Sequence, residues 1–166
     1  MFLLDTPVIL ELRGAKTERA DEGVRAWAAD IPRQQLFLSA LSLMELAESV
    51  GKAERTDKAA GAALRAWLDD RVMVAFEGRI LPVDAAVALR RAGVALPNNR
   101  DALLAATALV HGLTVVTPNV AAYRTGRLKV FNPWGYAAGE AEEDIADWRQ
   151  AAKTSPVWLK SLFLRF

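Results

Sequence analysis

The sequence predicts an α/β fold, a short parallel sheet flanked by helices in an α/β/α sandwich. Two observations lead there. Short apolar runs (Phe2-Leu3-Leu4, Leu36-Phe37-Leu38 and Leu113 to Val116) alternate with helical patterns, which implies βαβ units and parallel strands. The chain has 166 residues, 52% of them hydrophobic, enough for one domain with a sizeable core and a modest tail. In such sheets, sites form at the carboxyl ends of strands.

Taken in order, Phe2-Leu3-Leu4 is a buried strand ending at Asp5. Thr6 is placed as N-cap and Pro7 in the first turn of a helix reaching Arg13. From Asp21 to Ile31, the residues Val24, Trp27, Ala28 and Ile31 share a helical face. Leu36-Phe37-Leu38 is the second strand, after which Ser39 opens a helix expected to end near Gly51. Thr56 to Phe76 is expected as one long helix with Leu64, Trp67, Leu68 and Val72 inward. Arg79 to Pro82 is a third strand, and Asp84 caps a helix running to Arg91. A turn-rich stretch from Ala92 to Asn99 leads to a helix from Asp101 to His111, closed by Gly112. The last strands are Leu113 to Val116 and Leu128 to Phe131, the latter stopped by Asn132-Pro133-Trp134. A boundary is placed after Trp134, dividing a domain at 1–134 from an extension at 135–166.

Composition narrows the chemistry. The absence of cysteine excludes disulfides and thiolate zinc sites and suits a reducing cytosol. With His111 the single histidine, any bound metal has oxygen ligands, which points to Mg2+ or Mn2+. A net charge of +1 does not indicate a wide nucleic-acid footprint, although a local basic patch remains open. Met1-Phe2-Leu3-Leu4 runs into Asp5 without a basic leader, and no apolar run spans a bilayer, so the expectation is a cytoplasmic protein with no membrane partner. No Gly-rich phosphate loop is present, which removes support for a nucleotide-binding domain.

Three acids occupy unusual places. Asp5 ends the first strand, Glu45 lies among Leu41, Leu43, Met44 and Leu46, and Asp101 opens a helix with an apolar face. Burying several carboxylates together is costly because like charges repel. A divalent cation removes that penalty, binds phosphate and activates water. Ordinary roles stand beside this: Asp5 as a cap, Glu45 as an exposed helical residue, Asp101 as a first-turn acid favoured by the helix dipole.

The motifs add a resemblance. Leu3-Leu4-Asp5-Thr6-Pro7-Val8-Ile9-Leu10-Glu11-Leu12-Arg13 resembles the opening of VapC-type PIN-domain toxins, especially their FitB-like branch. Ser39 to Leu46 is similar to that family's second motif. Arg100 to Ala108 followed by His111 to Thr117 is similar to the third, and Asn132-Pro133-Trp134 to the usual ending. The resemblance implies a PIN-like fold with acids converging at one end. It implies Asp5, Glu45 and Asp101 as catalytic metal ligands for Mg2+ or Mn2+, with Thr6, Thr117 and Asn119 lining the site. It further implies an endoribonuclease, the toxin of a type II toxin–antitoxin system, dimeric and silenced by a cognate VapB/FitA-like antitoxin.

Several residues depart from the family pattern. Pro7 removes a polar group and a backbone donor, Pro118 replaces a polar residue, Asn119 stands where many members carry a fourth acid, and Ala122 where a further Asp is common. With fewer charges the metal should bind more weakly, which keeps a degenerate, binding or regulatory homologue as the alternative. Arg124 and Arg127 are candidates for RNA phosphate contact. Trp27, Trp67 and Trp134 are expected in the core, Trp148 and Trp158 at an interface, and His111 at a helix end. The acidic-then-apolar tail is expected as an extra helix or dimer contact. The competing possibility is a segment, Asp147 to Phe166, that folds over the site and pairs Arg149 or Arg165 with the carboxylates.

Overall fold

A computed structural model describes residues 1–14, 20–124 and 127–137. The extension beyond residue 137, with Arg149, Arg165, Trp148 and Trp158, lies outside the described residues, as do Thr125 and Gly126.

Five parallel strands form one sheet in the order β3-β2-β1-β4-β5. They are β1 (Phe2–Leu4), β2 (Leu36–Ser39), β3 (Ile80–Leu81), β4 (Thr114–Val116) and β5 (Val130–Phe131). The helices are α1 (Thr6–Gly14), α2 (Glu22–Asp30), α3 (Ala40–Thr56), α4 (Lys58–Trp67), α5 (Ala85–Ala92) and α6 (Asn99–His111). The central strand β1 pairs Leu4 with Leu38 on one side and Val116 on the other. Residues just past these three positions, Asp5, Ser39 and Thr117, therefore emerge at one carboxyl edge.

Strand alternation sorts the core into two layers. Leu4, Leu36, Leu38 and Val116 face α1 to α4, where Trp27, Trp67 and Phe76 are buried. Leu3 and Val115 face α5 and α6, where four alanines of α6 are fully buried. Trp134 is half-buried against the first layer, and so is Tyr136, whose hydroxyl donates to Asp30 Oδ2 at 3.1 Å. A close backbone approach seats this return: a Cβ on Gly23 would lie 2.5 Å from the Tyr136 nitrogen.

Helix ends depart from expectation in four places. Thr6 is the first residue of α1 and not its cap; Asp5 takes that place, its carbonyl accepting from Val8 and its carboxylate from the Thr6 amide at 2.8 Å. α3 runs past Gly51 to Thr56, because an isolated glycine lowers helix stability by only about 1 kcal/mol. The expected long helix from Thr56 to Phe76 is instead broken at Asp57, whose side chain caps α4 by accepting from Ala59 and Ala60. It then widens into a π-helical turn at Leu68–Met73. α6 begins before Asp101, capped by the Asn98 side chain, which places Asp101 inside the first turn. Asp84 caps α5 as expected, and Gly112, at φ 65°, closes α6.

Candidate active site

Four segments deliver side chains to the carboxyl edge of the sheet. Asp5 follows β1, Glu45 stands one turn into α3, Arg100 and Asp101 lie in the first turn of α6, and Tyr123 ends a 3-10 turn at Val120–Tyr123 after β4. They line a cleft of about 700 Å3 together with Thr6, Pro7, Leu10, Asn98 and Asn119.

The three acids converge on one guanidinium. Arg100 donates Nη2 to Asp5, Nε to Glu45 Oε1 at 2.5 Å, Nη2 to Glu45 Oε2 at 2.7 Å and Nη1 to Asp101 Oδ1 at 3.1 Å. Behind it, the buried Thr117 hydroxyl donates to Asp5 Oδ2 at 2.7 Å and accepts from the Asn119 amide at 3.2 Å. The Thr6 hydroxyl donates to Glu45 Oε2. Tyr123, 1% exposed, accepts from Arg100 Nη1 at 2.9 Å and donates to Asp101 Oδ1 at 3.1 Å. Every acid thus has a hydrogen-bonding partner, as buried charge requires.

Electrostatics follow from this network. Burial pushes the Glu45 carboxyl up, but hydrogen bonds from Arg100 and Thr6 outweigh it and leave Glu45 below its ordinary range. Burial works against the Arg100 charge, yet Glu45 and Asp5 prevail and hold the guanidinium more firmly protonated than usual. Burial, and then the Asp5 charge, drive the Tyr123 hydroxyl far above its ordinary value, so it stays protonated and donates.

The expected residues fall into two groups. Asp5, Glu45, Asp101, Thr6 and Asn119 meet at the cleft, with Thr117 directly behind Asp5. Arg124 and Arg127 are exposed and do not line it. Asp5 both accepts from the first amide of α1 and joins the acid cluster. Two residues carry more of the site than the sequence suggested. Arg100 falls in the first turn only because α6 begins at Asn99; a cation there opposes the macrodipole, and that is the signal that could have found it. Tyr123 left no such signal, because its position depends on how the turn after β4 folds back.

The donor set suits a hard divalent cation. Three carboxylates and the hydroxyls of Thr6, Thr117 and Tyr123 offer only oxygen. With the side chains as they stand, no three acids among the described residues are spaced to share an ion. The guanidinium of Arg100 takes the central place.

Comparison with known proteins covers most of the chain. Residues 2–128 match the PIN domain family. Toxin FitB of Neisseria gonorrhoeae is 35% identical over 143 residues, covering 81% of this chain and 99% of that protein. VapC ribonuclease Y4jK of Sinorhizobium fredii is 31% identical over 142 residues, covering 81% and 98%. The crystal structure of FitAcB from Neisseria gonorrhoeae superimposes with a TM-score of 0.73 at 32% identity, over 81% of this chain and 99% of that one.

Proposed function

Because this chain belongs to the PIN-domain family, in the company of FitB and VapC proteins, we propose that it is the toxin of a type II toxin–antitoxin system. Its activity is hydrolysis of RNA phosphodiester bonds with Mg2+ or Mn2+. One observation carries this. Acids from positions 5, 45 and 101, far apart in the chain, converge within hydrogen-bonding reach of a single group in an open cleft.

Asp5, Glu45 and Asp101 would hold the cation, which supplies Lewis acidity and an activated water when bound. Thr117 fixes the Asp5 carboxylate from behind, and Thr6 does the same for Glu45. Tyr123 orients Asp101. Thr6 and Asn119 line the wall where substrate enters, and Arg124 and Arg127 remain candidates for the RNA backbone farther out. The partners are RNA, a cognate VapB/FitA-like antitoxin and a second copy of the chain. Residues 1–134 form the nuclease unit and 135–166 an extension. A cytoplasmic location accords with a cysteine-free chain in which, among the described residues, no helix is long and apolar enough to cross a membrane.

The Arg100 contacts favour a second reading, a degenerate homologue that keeps the fold and the dimer and acts by binding. A cluster bridged by its own arginine holds together without metal. Cleavage of RNA by the purified chain, with Mn2+ or with EDTA, separates the two. The toxin reading expects cleavage that stops in EDTA and falls at least about a hundredfold in Asp101→Asn, since even groups behind a metal ligand are worth 10- to 100-fold. Growth arrest on induced expression should be lost in the same variant. Cleavage that is absent throughout would leave the binding role.

A further inference from the structure

Arg100 is the one cation among the described side chains that touches all three acids, and it does so with every arm of its fork. Three features set it apart from a surface ion pair. Its partners are largely buried, with side-chain exposures of 4% for Asp5, 24% for Glu45 and 16% for Asp101. It sits in the first turn of α6, where the helix dipole disfavours a positive charge, so its contacts with the acids must offset that cost. Its position is also reinforced from the side by Tyr123, which accepts from Arg100 and donates to Asp101.

From this geometry we infer that Arg100 is a built-in competitor for the divalent cation, occupying the carboxylate oxygens until the ion displaces it. The inference rests on the cation-binding reading above. A guanidinium and a divalent ion need the same carboxylate oxygens, so occupation by one excludes the other. Arg100 is also 25% exposed, which leaves it a route outward along the cleft once its partners are taken. Metal affinity in this chain is therefore set by an exchange: charge-assisted hydrogen bonds are given up as metal–oxygen bonds form.

The test is calorimetric titration of Mn2+ into the metal-free full chain, wild type against R100Q and R100K. Removal of the guanidinium should tighten binding by at least about tenfold, the equivalent of one charge-assisted hydrogen bond no longer broken. R100K, which keeps a charge without the fork, should fall between. Metal-free R100Q should melt below wild type and gain more from saturating Mn2+. Equal affinities in all three proteins would overturn the competitor role and leave the metal site standing. No binding in any of them would overturn both. If R100Q fails to fold without metal, recovery of its helical circular dichroism on adding Mn2+ supports the exchange, and the R100K titration decides it independently.

Discussion

The two faces of the sheet are built for different tasks. The face covered by α1 to α4 is filled with large side chains: Trp27 packs edge-on to Phe2 at 5.4 Å and against Phe131 at 5.7 Å, with Trp67, Leu68 and Phe76 beyond. The face covered by α5 and α6 relies on small ones, with Ala102, Ala105, Ala106 and Ala108 fully buried. Large residues bury more apolar area and so contribute more stability. Small ones let a helix lie close to the strands, and α6 is the helix that carries Arg100 and Asp101 to Asp5. One layer chiefly stabilises the fold, and the other chiefly sets distances within the cleft.

Deleting bulk from the first layer should have the largest effect on stability. Trp27→Ala removes a side chain that is 2% exposed and in contact with two other rings. Loss of about 3–5 kcal/mol in urea unfolding is expected. Mn2+ affinity of the molecules that remain folded should be close to that of wild type. Adding bulk to the second layer should do the reverse. Ala105 lies one turn after Asp101 on the same face of α6. Ala105→Leu should lower stability by about 1–3 kcal/mol, yet weaken Mn2+ binding more than Trp27→Ala does, because α6 must move away from β1. Equal losses of metal affinity in the two variants would erase the distinction between the layers.

The same contrast explains what the sequence made legible. The large-residue layer announces itself: apolar runs and helical spacing place Trp27, Trp67 and the strands where they are found. Asp5, Glu45 and Asp101 stood out because acids beside apolar runs ask for a reason, and their order matched a family pattern. Helix limits were less readable. The stop at Asp57 and the π-helical turn at Leu68–Met73 follow from capping and packing, which periodicity does not encode. Arg100 and Tyr123 were missed for a related reason. Their roles come from side chains meeting across β1, α3, α6 and the turn after β4, contacts that exist only once both layers close on the sheet.

Acid should probe the seam between the layers more selectively than either core. Glu45 belongs to α3, on the first face, and its partner Arg100 to α6, on the second. Burial alone would raise the Glu45 carboxyl, but the hydrogen bonds from Arg100 and Thr6 hold it below its ordinary value of 4.5. A carboxyl depressed in the folded state binds fewer protons there than in the unfolded chain. Its stabilising contribution is therefore complete above the ordinary carboxylate range and disappears as pH falls through the depressed value. In metal-free buffer, Glu45→Gln should melt below wild type near neutrality, and the gap should close as pH falls below the ordinary carboxylate range. Trp27→Phe, a change confined to one layer, should shift the melting temperature by a similar amount across that range. A gap for Glu45→Gln that stays constant with pH would mean that the carboxylate acts by packing alone, and that the seam is not held by charge.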